Sequence, residues 1–235
     1  YWDVPLEMFR SKEYAKGRTI DININRATPS DQVYAGKPDG YESPETTHYS
    51  VVDQWGNAVS VTTTINLGYG NGCVVKGAGF FLNNEMDDFS SKPGVPNVFG
   101  LIGNEANAIE PNKRPLSSMT PTIILKNNKP FLVIGSPGGS TIITTAMQTI
   151  LNVVDHDMDI KEAVCAARFH SQWLPDIIQI EPHGLAKDVI LNLQLRGHQV
   201  TPRGGYIGES NGIMITEDGI YGGGDCRGET SAIGY

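Results

Sequence analysis

The sequence predicts an α+β protein, an antiparallel sheet with helices packed against it. Three strand–turn–strand patterns point to the sheet, and three helical patterns lie between the second and third of them. A loop-rich stretch of about forty-five residues precedes everything regular. In chain order, residues 1–45 are polar and contain proline, with one short helical pattern over residues 6–16. Turn-rich sequence follows, in Ala27-Thr28-Pro29-Ser30 and Gly36-Lys37-Pro38-Asp39-Gly40. No core can form from this stretch alone, so it reads as a tail or linker.

Strand character begins at Thr46. Residues 48–53 and 58–64 are rich in Val, Thr and Tyr, with the turn Gln54-Trp55-Gly56-Asn57 between them. Residues 122–126 and 130–134 form a second hairpin across Asn127-Asn128, and residues 212–216 pair with 220–221 across Glu217-Asp218-Gly219. Ile142, Ile143, Ala146, Met147, Ile150, Leu151 and Val154 recur at helical spacing over about four turns. Asp159 opens a second helix, with Glu162 placed for a capping box. A third covers residues 186–196 and stops at Gly197, a residue suited to a left-handed cap.

Composition narrows the function. The 235 residues suffice for a core without staples, and a net charge of −8 disfavours non-specific nucleic-acid binding. No apolar run approaches the ~18 residues of a membrane span, and no charged-then-apolar leader is visible. The opening Tyr1-Trp2-Asp3-Val4-Pro5 reads as the middle of a longer chain. Cys73, Cys165 and Cys226 lie far apart, which predicts neither a disulfide framework nor a zinc site. The five histidines are isolated. His170 reads as a packing and hydrogen-bonding residue, and there is no Gly-x-Ser-x-Gly elbow.

Four segments could carry chemistry. In Thr46-Thr47-His48-Tyr49-Ser50, cleavage before Thr46 would place a free α-amine beside its own hydroxyl. An alcohol needs a nearby base, and an α-amine with a pKa of about 7.7–8.0 can serve. Without cleavage, the two threonines merely start a strand. Ser136-Pro137-Gly138-Gly139-Ser140 could present backbone N–H groups to an oxyanion, each donor being worth ~3–4 kcal/mol, or could be a plain strand-to-helix turn. Asn83-Asn84-Glu85-Met86-Asp87-Asp88 could hold a cation or a substrate ammonium, or be a solvated acidic turn; it lacks EF-hand spacing. The hydroxyls of Ser117 and Ser118 could bind a carboxylate or simply cap the chain.

Taken in order, Thr46 to Asp53, Asn83 to Ser90, Pro111-Asn112-Lys113-Arg114-Pro115-Leu116-Ser117-Ser118-Met119 and Gly135 to Ser140 resemble γ-glutamyltranspeptidase. The resemblance implies an N-terminal-nucleophile hydrolase fold, an αββα sandwich made by self-cleavage of one precursor. Residues 1–45 would be the end of the large subunit and 46–235 the small catalytic subunit. Thr46 would first attack the Glu45 carbonyl, then the γ-amide of glutathione or another γ-glutamyl compound. Water, or an acceptor amino acid or peptide, would resolve the ester.

By position, Thr64 would hydrogen-bond near the Thr46 amine and hydroxyl, and Gly138 and Gly139 would supply oxyanion donors. Asn66, Glu85 and Asp88 would hold the substrate α-amino group, and Ser117 and Ser118 its α-carboxylate. The resemblance implies no cofactor or metal, no nucleic acid, a large-subunit partner, and a periplasmic or extracellular location. Four residues depart from the family pattern: Glu85 where many relatives have Gln, Phe99 in a lid over residues 93–104, Thr141 for Arg, and Cys226 for Pro. The alternatives are a cephalosporin or glutaryl acylase of the same superfamily, and a non-catalytic binding domain or inactive fragment.

Overall fold

The computed structural model describes residues 6–20, 22–33, 46–93, 95, 103, 105–172 and 175–235. The first helical pattern forms two pieces, α1 (Leu6–Arg10) and α2 (Lys12–Arg18), where one helix was expected. Ser11 divides them by accepting the Tyr14 N–H at 3.0 Å, the action of an N-cap. Neither piece buries a residue. The tail is nonetheless tethered further on, where the Ala27 N–H reaches the Arg196 carbonyl and the Ser30 N–H reaches Asp176.

All three expected hairpins are present. β1 (Thr47–Val52) pairs with β2 (Ala58–Thr63) around a turn in which Asp53 accepts the N–H groups of Trp55 and Asn57. β3 (Thr122–Lys126) and β4 (Lys129–Gly135) meet across Asn127 and Asn128, both at positive φ, the geometry of a two-residue hairpin loop. After helices α3 (Thr141–Val154) and α4 (Ile160–Cys165), three short strands form a separate small sheet. These are β5 (Phe169–His170), β6 (Ile178–Ile180) and β7 (Val200–Pro202). Helix α5 (Lys187–Leu195) connects the parallel pair β6 and β7. β8 (Asn211–Ile215) and β9 (Ile220–Gly223) then complete a four-stranded antiparallel sheet in the order β3-β4-β8-β9. The caps agree with the sequence: Asp159 and Glu162 form a full capping box, and Gly197 ends α5 at φ +97°.

The core lies between this sheet and the helices. Leu132 and Ile134 of β4 pack on Ala146 and Val153 of α3 and on Ile160, Ala163 and Val164 of α4. Each of the Leu, Ile and Val side chains removed from water stabilises the fold by roughly 1.5–3 kcal/mol. The opposite face of β4 is covered by the β1–β2 hairpin, with Ser50 Oγ donating to Val133 O and Ser60 Oγ to Ile134 O. Helix, sheet and second sheet thus stack in that order. Among the described residues, no helix packs extensively on the hairpin's outer face, where Tyr49, Val51 and Val59 stand about half exposed.

The cysteine expectation is corrected. Cys165 and Cys226 form a disulfide between the end of α4 and the segment after β9, with Cα atoms 5.2 Å apart. A separation of 61 residues hides the pair in the sequence, and only the packing of α4 on β9 reveals it. The same bond accounts for Cys226. Cys73 is free and exposed. Beside the disulfide lies a buried ion network in which Asp225 takes Arg168 at 2.6 Å and Arg227 at 2.8 Å, while Glu181 takes Arg227 at 2.7 Å.

Candidate active site

Strand alternation and register place Thr46. In the β1–β2 ladder His48 faces Thr62 and Ser50 faces Ser60, and their side chains point toward β4. His48 is buried, its Nδ1 2.8 Å from Thr62 Oγ1 and its Nε2 3.0 Å from Ser50 Oγ. Its ring lies flush on Gly135, where a Cβ would come within 2.3 Å of it. Burial lowers the His48 pKa to about 4, so the ring is neutral at pH 7 and acts as a wall of the site.

One further step in the same register sets Thr64 opposite Thr46, since Thr47 pairs with Thr63. The step against β4 agrees: Ser50 meets Val133 and His48 meets Gly135, which brings Thr46 to Pro137. Thr46 and Pro137 line one cavity of about 940 Å³, shared with Glu209 and residues of the C-terminal segment.

In the turn after Pro137, two hydroxyls hold backbone carbonyls. Ser136 Oγ donates to the Pro137 carbonyl at 2.6 Å, and Thr141 Oγ1 donates to the Gly138 carbonyl at 2.6 Å. Because a trans peptide points its C=O and N–H in opposite directions, pinning these two carbonyls turns the N–H groups of Gly138 and Gly139 the other way. Neither N–H donates to a described residue. Gly138 sits at φ +134° and Gly139 at +58°, and a Cβ on Gly138 would stand 2.5 Å from Thr141 Oγ1. Thr141 is therefore accounted for as the anchor of this turn. Ser136 belongs to the motif read from the sequence, but its role emerges only from the fold.

The remaining polar residues form one connected chain. Thr64 Oγ1 accepts the Asn66 N–H at 2.8 Å, and Asn66, at φ +74°, donates from Nδ2 to the Asn84 carbonyl at 3.1 Å. Asn84 leads into a single 3-10 turn, Glu85–Asp88, that carries three acids, Glu85, Asp87 and Asp88. Burial is the largest influence on Glu85 and raises its pKa to about 7, with hydrogen bonding to and repulsion from Asp88 adding to it. Asp88 is raised as well, chiefly by burial. The Glu85 Oε1 atom is buried and has no hydrogen-bond partner among the described residues.

Asn107, which the sequence reading passed over, continues the chain. Its Nδ2 donates to the Asp88 carbonyl at 2.7 Å, and its Oδ1 accepts the Leu116 N–H at 3.0 Å, one residue before Ser117. Ser117 is exposed, its Oγ accepting the Met119 N–H, and Ser118 is half buried. The structure thus joins the threonine end, the acidic turn and the serine segment. Glu45, Phe99 and most of the expected lid at 93–104 lie outside the described residues. His170 is held by Thr144 and Gln172, the packing role expected of it.

Chemically, the arrangement offers a hydroxyl on the cavity that Pro137 also lines, a following turn whose N–H groups face away from their pinned carbonyls, and a pair of partly buried carboxyls at Glu85 and Asp88. A family profile described as Gamma-glutamyltranspeptidase matches residues 1–235. The glutathione hydrolase proenzyme of Escherichia coli (strain K12) is 50% identical over 225 residues, 95% of this chain and 38% of that protein. The crystal structure of the Helicobacter pylori gamma-glutamyltranspeptidase T380A mutant superposes with a TM-score of 0.74 at 59% identity, covering 77% of this chain and 100% of that one. The cephalosporin acylase of Bacillus halodurans reaches a TM-score of 0.79 at 27% identity, over 97% of this chain and 39% of that one. The chain spans about two fifths of the length of the curated relatives it matches. The fold is that of the N-terminal-nucleophile hydrolases, as the motifs implied. By profile, sequence identity and superposition alike, this chain belongs to the gamma-glutamyltranspeptidase family.

Proposed function

We propose that the chain carries the catalytic residues of a γ-glutamyl hydrolase and transferase acting on glutathione and related γ-glutamyl amides. After cleavage before Thr46, its α-amine takes the hydroxyl proton as Oγ attacks the γ-carbonyl. The oxyanion is met by the Gly138 and Gly139 N–H groups, and Thr64 steadies the Thr46 amine and hydroxyl. As the C–N bond breaks, the proton passes to the leaving amine and an ester remains on Thr46. Water or an acceptor amine then attacks the ester, which releases glutamate or a new γ-glutamyl product. Asn66, Glu85 and Asp88 hold the substrate ammonium, and Ser117 and Ser118 its carboxylate.

The observation that carries this reading is the Glu85 Oε1 atom, buried beside Asp88 with no hydrogen-bond partner among the described residues. Two desolvated carboxyls call for a cation, because a buried charge without a partner is costly. A glutaryl group has no ammonium to offer, which weighs against the glutaryl acylase alternative. The same reading makes residues 1–45 the end of a large subunit and 46–235 the small one. The latter span is about four fifths of the chain, close to the 77% covered by the whole of the H. pylori chain. A large-subunit partner would complete the sandwich, and the Cys165–Cys226 disulfide suits an exported protein in an oxidising compartment.

The test compares γ-glutamyl anilide with glutaryl anilide, using protein expressed from the complete gene. We expect release from the γ-glutamyl donor, with both processing and release lost in Thr46→Ala. Preference for the glutaryl donor, or normal processing of the variant, would overturn the proposal.

A further inference from the structure

The α-amino and α-carboxylate groups of a γ-glutamyl substrate sit on one carbon, so the protein groups that receive them must be set to a narrow spacing. In this fold those groups come from two separate loops, the Glu85–Asp88 turn and the irregular segment holding Ser117 and Ser118. The Asn107 carboxamide spans both, donating to the Asp88 carbonyl at 2.7 Å and accepting the Leu116 N–H at 3.0 Å. Its own backbone is moored as well. The Asn107 carbonyl accepts the Ser90 N–H at 2.9 Å, and Ser90 bridges Ala108 in parallel.

Resting on the γ-glutamyl reading above, we propose that Asn107 is the positioning residue that sets the distance between the ammonium-binding and carboxylate-binding arms of the substrate site. A carboxamide is suited to this because it offers donors and an acceptor on one rigid plane. Aspartate, of the same shape, would lose the donor and turn a second oxygen toward the Asp88 carbonyl, next to two existing carboxyls. Glutamine would push the two loops apart by a methylene. Both partners of the amide are backbone groups, so Asn107 holds the loops irrespective of the side chains they carry. Asn107 touches no reacting atom, and its removal should weaken two-armed binding while leaving the chemistry at Thr46 intact.

The experiment is steady-state kinetics of N107D in protein expressed from the complete gene. γ-Glutamyl anilide is the donor, and glutarate and 4-aminobutyrate, which each engage a single arm, are the competitive inhibitors. A misplaced arm should raise KM for the donor about tenfold or more at nearly unchanged kcat. Inhibition by the single-armed compounds should stay within about twofold, because spacing does not matter to them. Unchanged KM, or an equal loss for all three compounds, overturns the inference. Should N107D not accumulate as folded protein, N107S, whose hydroxyl can also donate and accept, is judged by the same comparison. Wild-type protein that leaves γ-glutamyl anilide untouched defeats the γ-glutamyl reading itself, and this inference falls with it.

Discussion

Glu85 concentrates the electrostatics of the site. Burial and the neighbouring Asp88 carboxyl raise its pKa to about 7, so it crosses between charged and neutral within the working range of an enzyme. If a substrate ammonium must meet its carboxylate, protonation weakens binding. KM for a γ-glutamyl donor should then rise about tenfold on going from pH 8 to pH 6, with Glu85→Gln flattening that segment of the profile. A flat wild-type profile there would remove Glu85 from the ammonium site. The sign for stability is the opposite. A carboxyl raised above its ordinary 4.5 favours the fold most at low pH, and that contribution fades as pH climbs through about 7. At this scale the sequence was a partial guide. Thr46, Glu85 and the glycine pair stand in recognisable motifs. Asn107 and Ser136 act by bonding to backbone carbonyls and amides, and such bonds leave no pattern of residue types to read.

Among the elements, the turn between β4 and α3 matters most. Two hydroxyls hold its carbonyls, and Gly138 has no room for a side chain. Gly138→Ala would drive a Cβ against Thr141 and strain a residue at φ +134°. Displacing an oxyanion donor costs about 10²–10³ in kcat, so we expect a loss of that size with little change in KM. Near-normal turnover would mean that these N–H groups do not serve the oxyanion. The regular elements themselves were legible where turn chemistry and periodicity coincide, as in the hairpin at Asn127 and Asn128 or the capped start of α4. Strands β5, β6 and β7, of two and three residues, are too short for either signal. The split at Ser11 turns on a single cap that propensity does not foresee.

The whole molecule is braced at one corner. The Cys165–Cys226 bond closes a loop of about sixty residues next to the Arg168, Asp225, Arg227 and Glu181 network. Limiting the unfolded chain in this way stabilises by about 4 kcal/mol on a chain-entropy estimate. Denaturant unfolding of the double variant C165S/C226S should show a loss of that order, and no loss would mean that the bond contributes nothing to the fold. A sequence shows such a bond poorly, because proximity between residues 165 and 226 is a property of the folded sheet and helix layers.

The proposed chemistry turns on the Thr46 hydroxyl, which strand register places on the cavity that Pro137 lines. The most direct test is to mix protein from the complete gene with a γ-glutamyl donor, quench in acid and sequence the modified peptide by mass spectrometry. The expected product is a γ-glutamyl ester on Thr46, at the N-terminus of its chain. Turnover of the donor with the acyl group on another residue, or on none, would contradict the proposed chemistry.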